Sequence, residues 1–289
     1  MTVTLRLKES SSIPIVVESI VPEKIADRSI SQIAQLIIRH GNRQTTLGSL
    51  FDIDSCEGGQ DLVWEGDLKS VHWIGAGMQQ GTLVVKGNAG RHLGSQMSGG
   101  SIRVEGDVDD YAGCEMTGGA IRILGNAADW LGAAYPGTSF GVNRGQILVE
   151  GNAGMGVAMA MRRGTICIGG DAGQLAGWNM RAGTLMIGGW AGRMLGKGMI
   201  RGTIVLGGGA QTAPHRDIVP DNLPPTFTLG SIIDSTTTRM LTRWFNEQEL
   251  PTKLDEATSF RLHHGDHLRG GRGEVLLALA NTSKPPTSN

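Results

Sequence analysis

The 289-residue chain carries 26 Lys and Arg against 27 Asp and Glu, for a formal net charge of −1. With no basic block, this balance argues against nucleic acid as a partner, and no apolar run is long enough to span a bilayer. Glycine supplies 45 residues and aromatics only 4%; the glycine share is about twice ordinary usage, which suits a chain turning tight corners and excludes long helices from its middle.

The opening MTVTLRLKESSS lacks the charged-then-apolar pattern of a secretion signal, so a cytoplasmic protein is expected. Residues 1–60 are non-repetitive and are predicted to form a small α+β cap of strand, helix and strands. Thr2 to Leu7 alternates as a strand does. Ser29-Ile-Ser-Gln32 is a capping box. It opens a short helix whose Ile30, Ile33, Ala34, Leu36 and Ile37 fall on one face, and Gly41 stands where a helix C-cap glycine belongs.

Residues 61–210 repeat. Gly87, Gly106, Gly125, Gly151, Gly170, Gly189 and Gly208 are 19 residues apart every time except once, where the gap is 26. Such a period marks a solenoid, in which each coil buries its apolar side by stacking on its neighbours. Five residues open each coil, and two of the five aligned columns are apolar without exception. One reads Leu83, Ile102, Ile121, Ile147, Ile166, Leu185, Ile204, and the other Val85, Val104, Ile123, Val149, Ile168, Ile187, Leu206. These columns are predicted to point inward from stacked parallel strands. A glycine followed by Asn or Asp then turns the first corner, and Gly75, Gly94, Gly113, Gly132, Gly177 and Gly196 mark a second, with Ala158 the exception. The ladder Met78, Met97, Met116, Met161, Met180, Met199 keeps the same period and is read as core filling. The predicted fold is all-β, a right-handed parallel β-helix of about seven coils. The hand follows from the preference of parallel crossovers, and a left-handed hexapeptide solenoid fits poorly because 19 is not a multiple of six.

Cys56, Cys114 and Cys167 are scattered and odd in number, which argues for a reducing compartment rather than a disulfide framework. Residues 211–280 are predicted to form an α+β extension. It has a helix near Thr236 to Glu249, with Met240, Leu241, Trp244 and Phe245 on one side, and strands near Ser259 to Leu262 and Glu274 to Leu279. Residues 281–289, NTSKPPTSN, are expected to be disordered. His263, His264 and His267 cluster but lack a standard ligand spacing, so a solvated loop is preferred to a metal site. Each Gly-x-Gly string runs into another strand rather than a helix, so none is read as a dinucleotide fingerprint. No nucleophile with a nearby base stands out, and no catalytic, cofactor-binding or metal-ligating residue is assigned.

The phrase GNRQTTLGSLFDI at 41–53, the GNAG and GDAG coils, and GDHLRGGRGEV at 265–275 together resemble the C subunit of formylmethanofuran dehydrogenase, over residues 1 to about 280. The coils alone are similar to the GXGXG domain that ends the large subunit of glutamate synthase. The resemblance implies a β-helix component of a cytoplasmic one-carbon complex, whose other members, the partners of this chain, are a hydrolase-like A subunit, a B subunit and a formyltransferase D subunit. The methanofuran-like carrier and metal ions are expected on those partners. Both a formyltransferase/hydrolase complex, serving tetrahydromethanopterin-linked formaldehyde oxidation to formate, and a metal-pterin formylmethanofuran dehydrogenase use such a component. A charged fraction of 18% and twelve methionines are unlike a hyperthermophile and favour the former. The other readings are a glutamate-synthase-like amidotransferase module and a polysaccharide lyase; the lyase calls for a secretion signal and an acidic, basic and aromatic groove.

Two surfaces are expected to meet partners. One is the apolar column Cys167, Met186, Val205 beside the bare Gly169, Gly188, Gly207, for which the chain's own tail is the alternative cover. The other is the long repeat, which carries seven extra residues. It is expected to be extruded as a loop with Tyr135 and Phe140 as anchors and Arg144 at the rim, the alternative being that it folds over the adjacent coil.

Overall fold

The computed structural model describes residues 2–56, 61–207, 223–255 and 258–279. The N-terminal segment runs β1 (Thr2–Leu7), β2 (Ile15–Val16), α1 (Pro22–Ile25), α2 (Ile30–Ala34), β3 (Ile37–His40), β4 (Arg43–Thr46), α3 (Leu47–Leu50) and β5 (Phe51–Cys56). The capping box forms: Ser29 N donates to Gln32 Oε1 at 2.9 Å, and Gln32 N to Ser29 Oγ at 3.3 Å. The helix is shorter than predicted. It ends at Ala34, and the β-branched pair Ile37-Ile38 enters β3, where Ile37 is 54% exposed. Gly41, at φ 60°, turns the β3–β4 hairpin rather than the end of a helix.

The coils follow as β6 (Asp61–Glu65), β7 (Val71–His72), β8 (Thr82–Lys86), β9 (Ser101–Val104), β10 (Ala120–Ile123), β11 (Gln146–Val149), β12 (Thr165–Ile168), β13 (Thr184–Ile187) and β14 (Thr203–Leu206). From β6 to β14, with β7 apart, each strand pairs in parallel with that of the next repeat, in register, as Ile121 with Ile147 and Ile147 with Ile166. A second ladder of single bridges runs Leu68, Ala89, Val108, Ala127, Ala153, Ala172, Ala191. Small side chains suit that narrow corner. The two inward columns are buried from end to end, as are all six stacked methionines.

Strand β6 adds a copy that the seven-fold alignment omits. Leu62 and Trp64 sit one rung ahead of Leu83 and Val85 and are fully buried. The Gly66-to-Gly87 spacing of 21 hides it from a search at 19. Strand β7 meanwhile pairs with β2 in a small sheet of order β4-β3-β2-β7, which ties the cap to the first coil.

Both ends of the main sheet are extended by non-repetitive chain. At one end β1 lies parallel to β6 and β5 antiparallel to β1. At the other, β15 (Thr228–Ile232), α4 (Ser235–Asn246), β16 (Ser259–Gly265) and β17 (Gly273–Leu279) complete the described chain. Strand β17 continues the stack parallel to β14, with Val275 beside Ile204 and Leu277 beside Leu206; β16 and β15 then add in antiparallel fashion. The result is a thirteen-stranded sheet. Helix α4 is capped by Asp234, whose Oδ1 accepts from Thr236 N at 2.9 Å and Thr237 N at 3.0 Å. Phe245 is buried while Met240 is 68% exposed, so Met240 does not share the packed face assigned to it. Gly208 and residues 281–289 lie outside the described residues.

Candidate docking site on the long repeat

The long repeat closes its coil as the others do. Val142 N donates to Gly132 O at 3.0 Å, as Met116 N does to Gly113 O at 3.4 Å. Asn143 N then bonds Met116 O, and Arg162 N bonds Val142 O, each at 2.8 Å. Val142 thus takes the place of the missing methionine, and Tyr135 to Gly141 is the insertion. Pro136 to Ser139 are exposed at its tip.

Rather than projecting freely, the loop is held on its own coils. One corner column, at the same spacing, reads Trp73, His92, Tyr111, Trp130, all at φ 65–66°. Left-handed backbone at one bulky residue per coil aligns their rings: Trp73 stacks on His92 with centroids 4.1 Å apart and His92 on Tyr111 at 5.2 Å. Tyr135 folds back onto this stack, 5.6 Å from both His92 and Tyr111. The buried Ser95 hydroxyl donates to Tyr111 O at 3.0 Å, and the Tyr135 hydroxyl donates to Ser95 Oγ at 2.9 Å. The Tyr135 oxygen is then an acceptor, so His92 Nδ1–H donates to it at 2.7 Å, which sets the imidazole tautomer. Burial, helped by nearby His72 and Arg91, lowers the His92 pKa to about 4.

At the far side of the loop, the guanidinium carbons of Arg162 and Arg181 lie 4.7 and 4.9 Å from the Phe140 ring centroid, a cation–π arrangement from two successive coils. Between these two attachments the loop walls a half-open cavity of about 480 Å³. Trp130, Tyr111 and Trp178 give it aromatic surface, Asn179 a polar group, and Arg181 and Arg269 positive charge.

Of the predicted contact residues, Tyr135 and Phe140 therefore meet the protein's own coils, and Arg144 is exposed. Cys167, Met186 and Val205 require a correction: all three are 0% exposed, packed in a separate apolar cluster with Phe245, Leu250, Leu254 and Phe260. The tail covers them, and the bare glycines are what let it come close. A Cβ on Gly207 would stand 2.5 Å from Leu254 Cδ2, and Thr252 Oγ1 donates to Gly169 O. Gln146 Nε2 to Gln248 Oε1 at 2.7 Å, and Arg122 between Glu150 and Glu249, fasten the edge. His92, Ser95, Trp130 and Trp178 do not stand out in the strand and glycine columns, although the corner column read at a period of 19 aligns His92 and Trp130 with Trp73 and Tyr111. His267 Nε2 lies 3.0 Å from Thr228 Oγ1, and among the described residues no three His, Cys, Asp or Glu side chains converge on a metal position. No helix among them is long and apolar enough to cross a membrane.

In-register parallel strands, corners occupied by glycine everywhere but at Ala158, and one loop strapped across the stack define a repeat protein. Residues 66–218 match the GXGXG motif family. The chain belongs to that family, within the group of formylmethanofuran dehydrogenase C subunits. It is 34% identical over 91 residues to the C subunit of the tungsten-containing formylmethanofuran dehydrogenase 2 of Methanococcus maripaludis, covering 31% of this chain and 34% of that protein. With the C subunit of the molybdenum-containing formylmethanofuran dehydrogenase 1 of Methanothermobacter thermautotrophicus the identity is 38% over 88 residues, 30% of this chain and 22% of that one. The chain thus spans about a third or less of the length of these curated relatives. A chain in the crystal structure of the formyltransferase/hydrolase complex (FhcABCD) from Methylorubrum extorquens, in complex with methylofuran, aligns with TM-score 0.84 and 30% identity, covering 96% of this chain and 100% of that one.

Proposed function

We propose that the chain is the C subunit of a formyltransferase/hydrolase-type one-carbon complex, a right-handed parallel β-helix that organises catalytic partners and contributes no catalytic residue of its own. The full-length match to a chain of such a complex carries this reading. In it, residues 2–56 cap a solenoid of residues 61–207, and residues 223–255 and 258–279 seal its outer face. The partners are a hydrolase-like A subunit, a B subunit and a formyltransferase D subunit in the cytoplasm, and the methanofuran-like carrier and metal ions reside on them. The pathway served is tetrahydromethanopterin-linked oxidation of formaldehyde to formate.

Affinity purification of the tagged chain from its own host, followed by mass spectrometry, tests the proposal. Hydrolase-like and formyltransferase chains should co-elute in fixed ratio, and the complex should release formate from a formylated carrier. Elution alone, or with a glutaminase-type chain, would refute it. The curated relatives support a second reading, a C subunit of a tungsten or molybdenum formylmethanofuran dehydrogenase. Stoichiometric tungsten or molybdenum in the purified complex would select that reading.

A further inference from the structure

The corner that precedes each strand changes character along the stack. In the early coils it carries Gln79, Gln80, Ser98 and Thr117; from the long repeat onward it carries Arg144, Arg162, Arg163, Arg181, Arg201 and Arg272. The backbone holds these corners in register: Arg162 N bonds Val142 O, Arg181 N bonds Met161 O and Ile200 N bonds Met180 O, each at 2.8 Å, so Arg162 and Arg181 share one column. The adjoining column holds Arg144, Arg163, Ala182, Arg201 and, through Arg272 N to Ile200 O at 2.7 Å, Arg272. Rungs of a parallel stack are about 4.8 Å apart, so the arginines form a ridge of like charge, all exposed. Among the described residues, the ion pairs of this protein involve Arg6, Lys8, Lys86, Arg91, Arg122 and Arg243, and no arginine of the ridge.

The aromatic cavity adjoins this ridge at Arg181, which lines it. Its described lining holds the guanidiniums of Arg181 and Arg269 and no carboxylate. The nearby acids are engaged elsewhere: Glu115 accepts from Gln96 Nε2 and Tyr135 N, and the buried Asp266 accepts from Gly198 N and Leu268 N. Exposed apolar groups stand beside the charges, Ile200 in the cavity lining and Leu268 next to Arg269. Phe140 restrains two of the guanidiniums, and Tyr135 holds the loop that carries Phe140. Like charges held close without counter-charges present a surface prepared for carboxylates, which arginine binds in bidentate fashion.

We infer that the ridge and cavity together are a docking surface for an acidic polypeptide segment of a partner chain, one that alternates carboxylates with apolar or aromatic side chains. An extended strand places alternate side chains about 6.7 Å apart on one side, within reach of long arginine side chains on neighbouring rungs. Its other face would fill the aromatic cavity. Charge complementarity selects this occupant, and the aromatic and apolar lining separates it from a plain polyanion.

The full-length chain is tested by fluorescence anisotropy with a labelled peptide of sequence Glu-Leu-Glu-Trp-Glu-Leu-Glu. Saturable binding that weakens with salt is expected, and R162Q/R181Q should weaken it at least tenfold with the coils still folded by circular dichroism. Phe140→Leu should weaken it by a smaller factor, and R239Q/R243Q on α4 should have no effect. A Gln-for-Glu peptide should not bind, and a Glu-Gly repeat of equal charge should bind several-fold more weakly. The inference is overturned by no saturable binding, by equal binding to R162Q/R181Q and wild type, by equal affinity for the Glu-Gly repeat, or by tighter binding of a DNA oligonucleotide. Because the assay uses this chain alone, its outcome is independent of which complex the chain joins.

Discussion

Phe245→Ala should release the C-terminal tail while leaving the coils folded. Phe245 is 0% exposed, and its neighbours Cys167, Met186, Val205, Leu250, Leu254 and Phe260 form a cluster separate from the main core. Truncating a buried Phe to Ala costs about 3–5 kcal/mol. Because the loss falls on one side of a sheet whose inner columns are untouched, it should lower the free energy of tail opening rather than of global unfolding. At about 1.4 kcal/mol per decade, the open population rises roughly two to three and a half orders of magnitude. The three cysteines report this directly. Cys56 is exposed, Cys114 is buried inside the coils and Cys167 lies beneath the tail. Burial pushes the Cys167 thiol up to about 12 and the Cys114 thiol higher still, so neither reacts while covered. Timed thiol labelling read by peptide mass spectrometry should show Cys56 reacting at once in both proteins, Cys167 reacting at least a hundredfold faster in the variant, and Cys114 unchanged. Unchanged labelling of Cys167, or Cys114 and Cys167 accelerating together, would show that tail and coils open as one unit and refute the reasoning.

Tyr135→Phe keeps the ring stack but leaves His92 Nδ1–H and the Ser95 oxygen without a partner. A loss of about 1–2 kcal/mol, seen in urea unfolding, should accompany faster proteolysis at Pro136 to Ser139. The His92 pKa is lowered in the fold, so the unfolded chain binds the extra proton. Stability should therefore be intact above the unfolded value of about 6.5 and fall as pH drops from there toward 4; His92→Gln should flatten that slope, and an unchanged slope would assign it to other groups. Gly177 (φ 70°) and Ala158 (φ 58°) occupy equivalent corners. Gly177→Ala should destabilise by about 1–3 kcal/mol, since its Cβ would stand 2.6 Å from Ile204 Cδ1 in a left-handed residue. Ala158→Gly should stay within about 1 kcal/mol of wild type, because relief of backbone strain offsets the lost methyl; equal thermal shifts for the two variants would contradict the corner assignment.

The coil is legible without coordinates because a solenoid writes its packing into a period. Ile121 pairs with Ile147 and Ile102 whatever the rest of the chain does, so the inward columns, the methionine stack and the glycine corners follow from spacing alone. Where the period slips or is absent, that logic loses its grip. Leu62 and Trp64 escape it through a spacing two residues too long, and Ile37 and Gly41 look helical until the β3–β4 hairpin claims them. Strand β17 joins the stack across a long stretch of non-repetitive chain, and Phe245 reaches the Met186 cluster from the same tail, so neither contact has a sequence offset to announce it. The tail's docking then decides that Cys167, Met186 and Val205 are core and not surface. The loop's fate is settled in the same way: its length marks it as an insertion, but only the three-dimensional proximity of His92 and Ser95 to Tyr135, and of Arg162 and Arg181 to Phe140, turns it into a strap. Stacking neighbours are local in a repeat and can be read from the chain, whereas docking between unrelated segments depends on surfaces that exist only once both have folded.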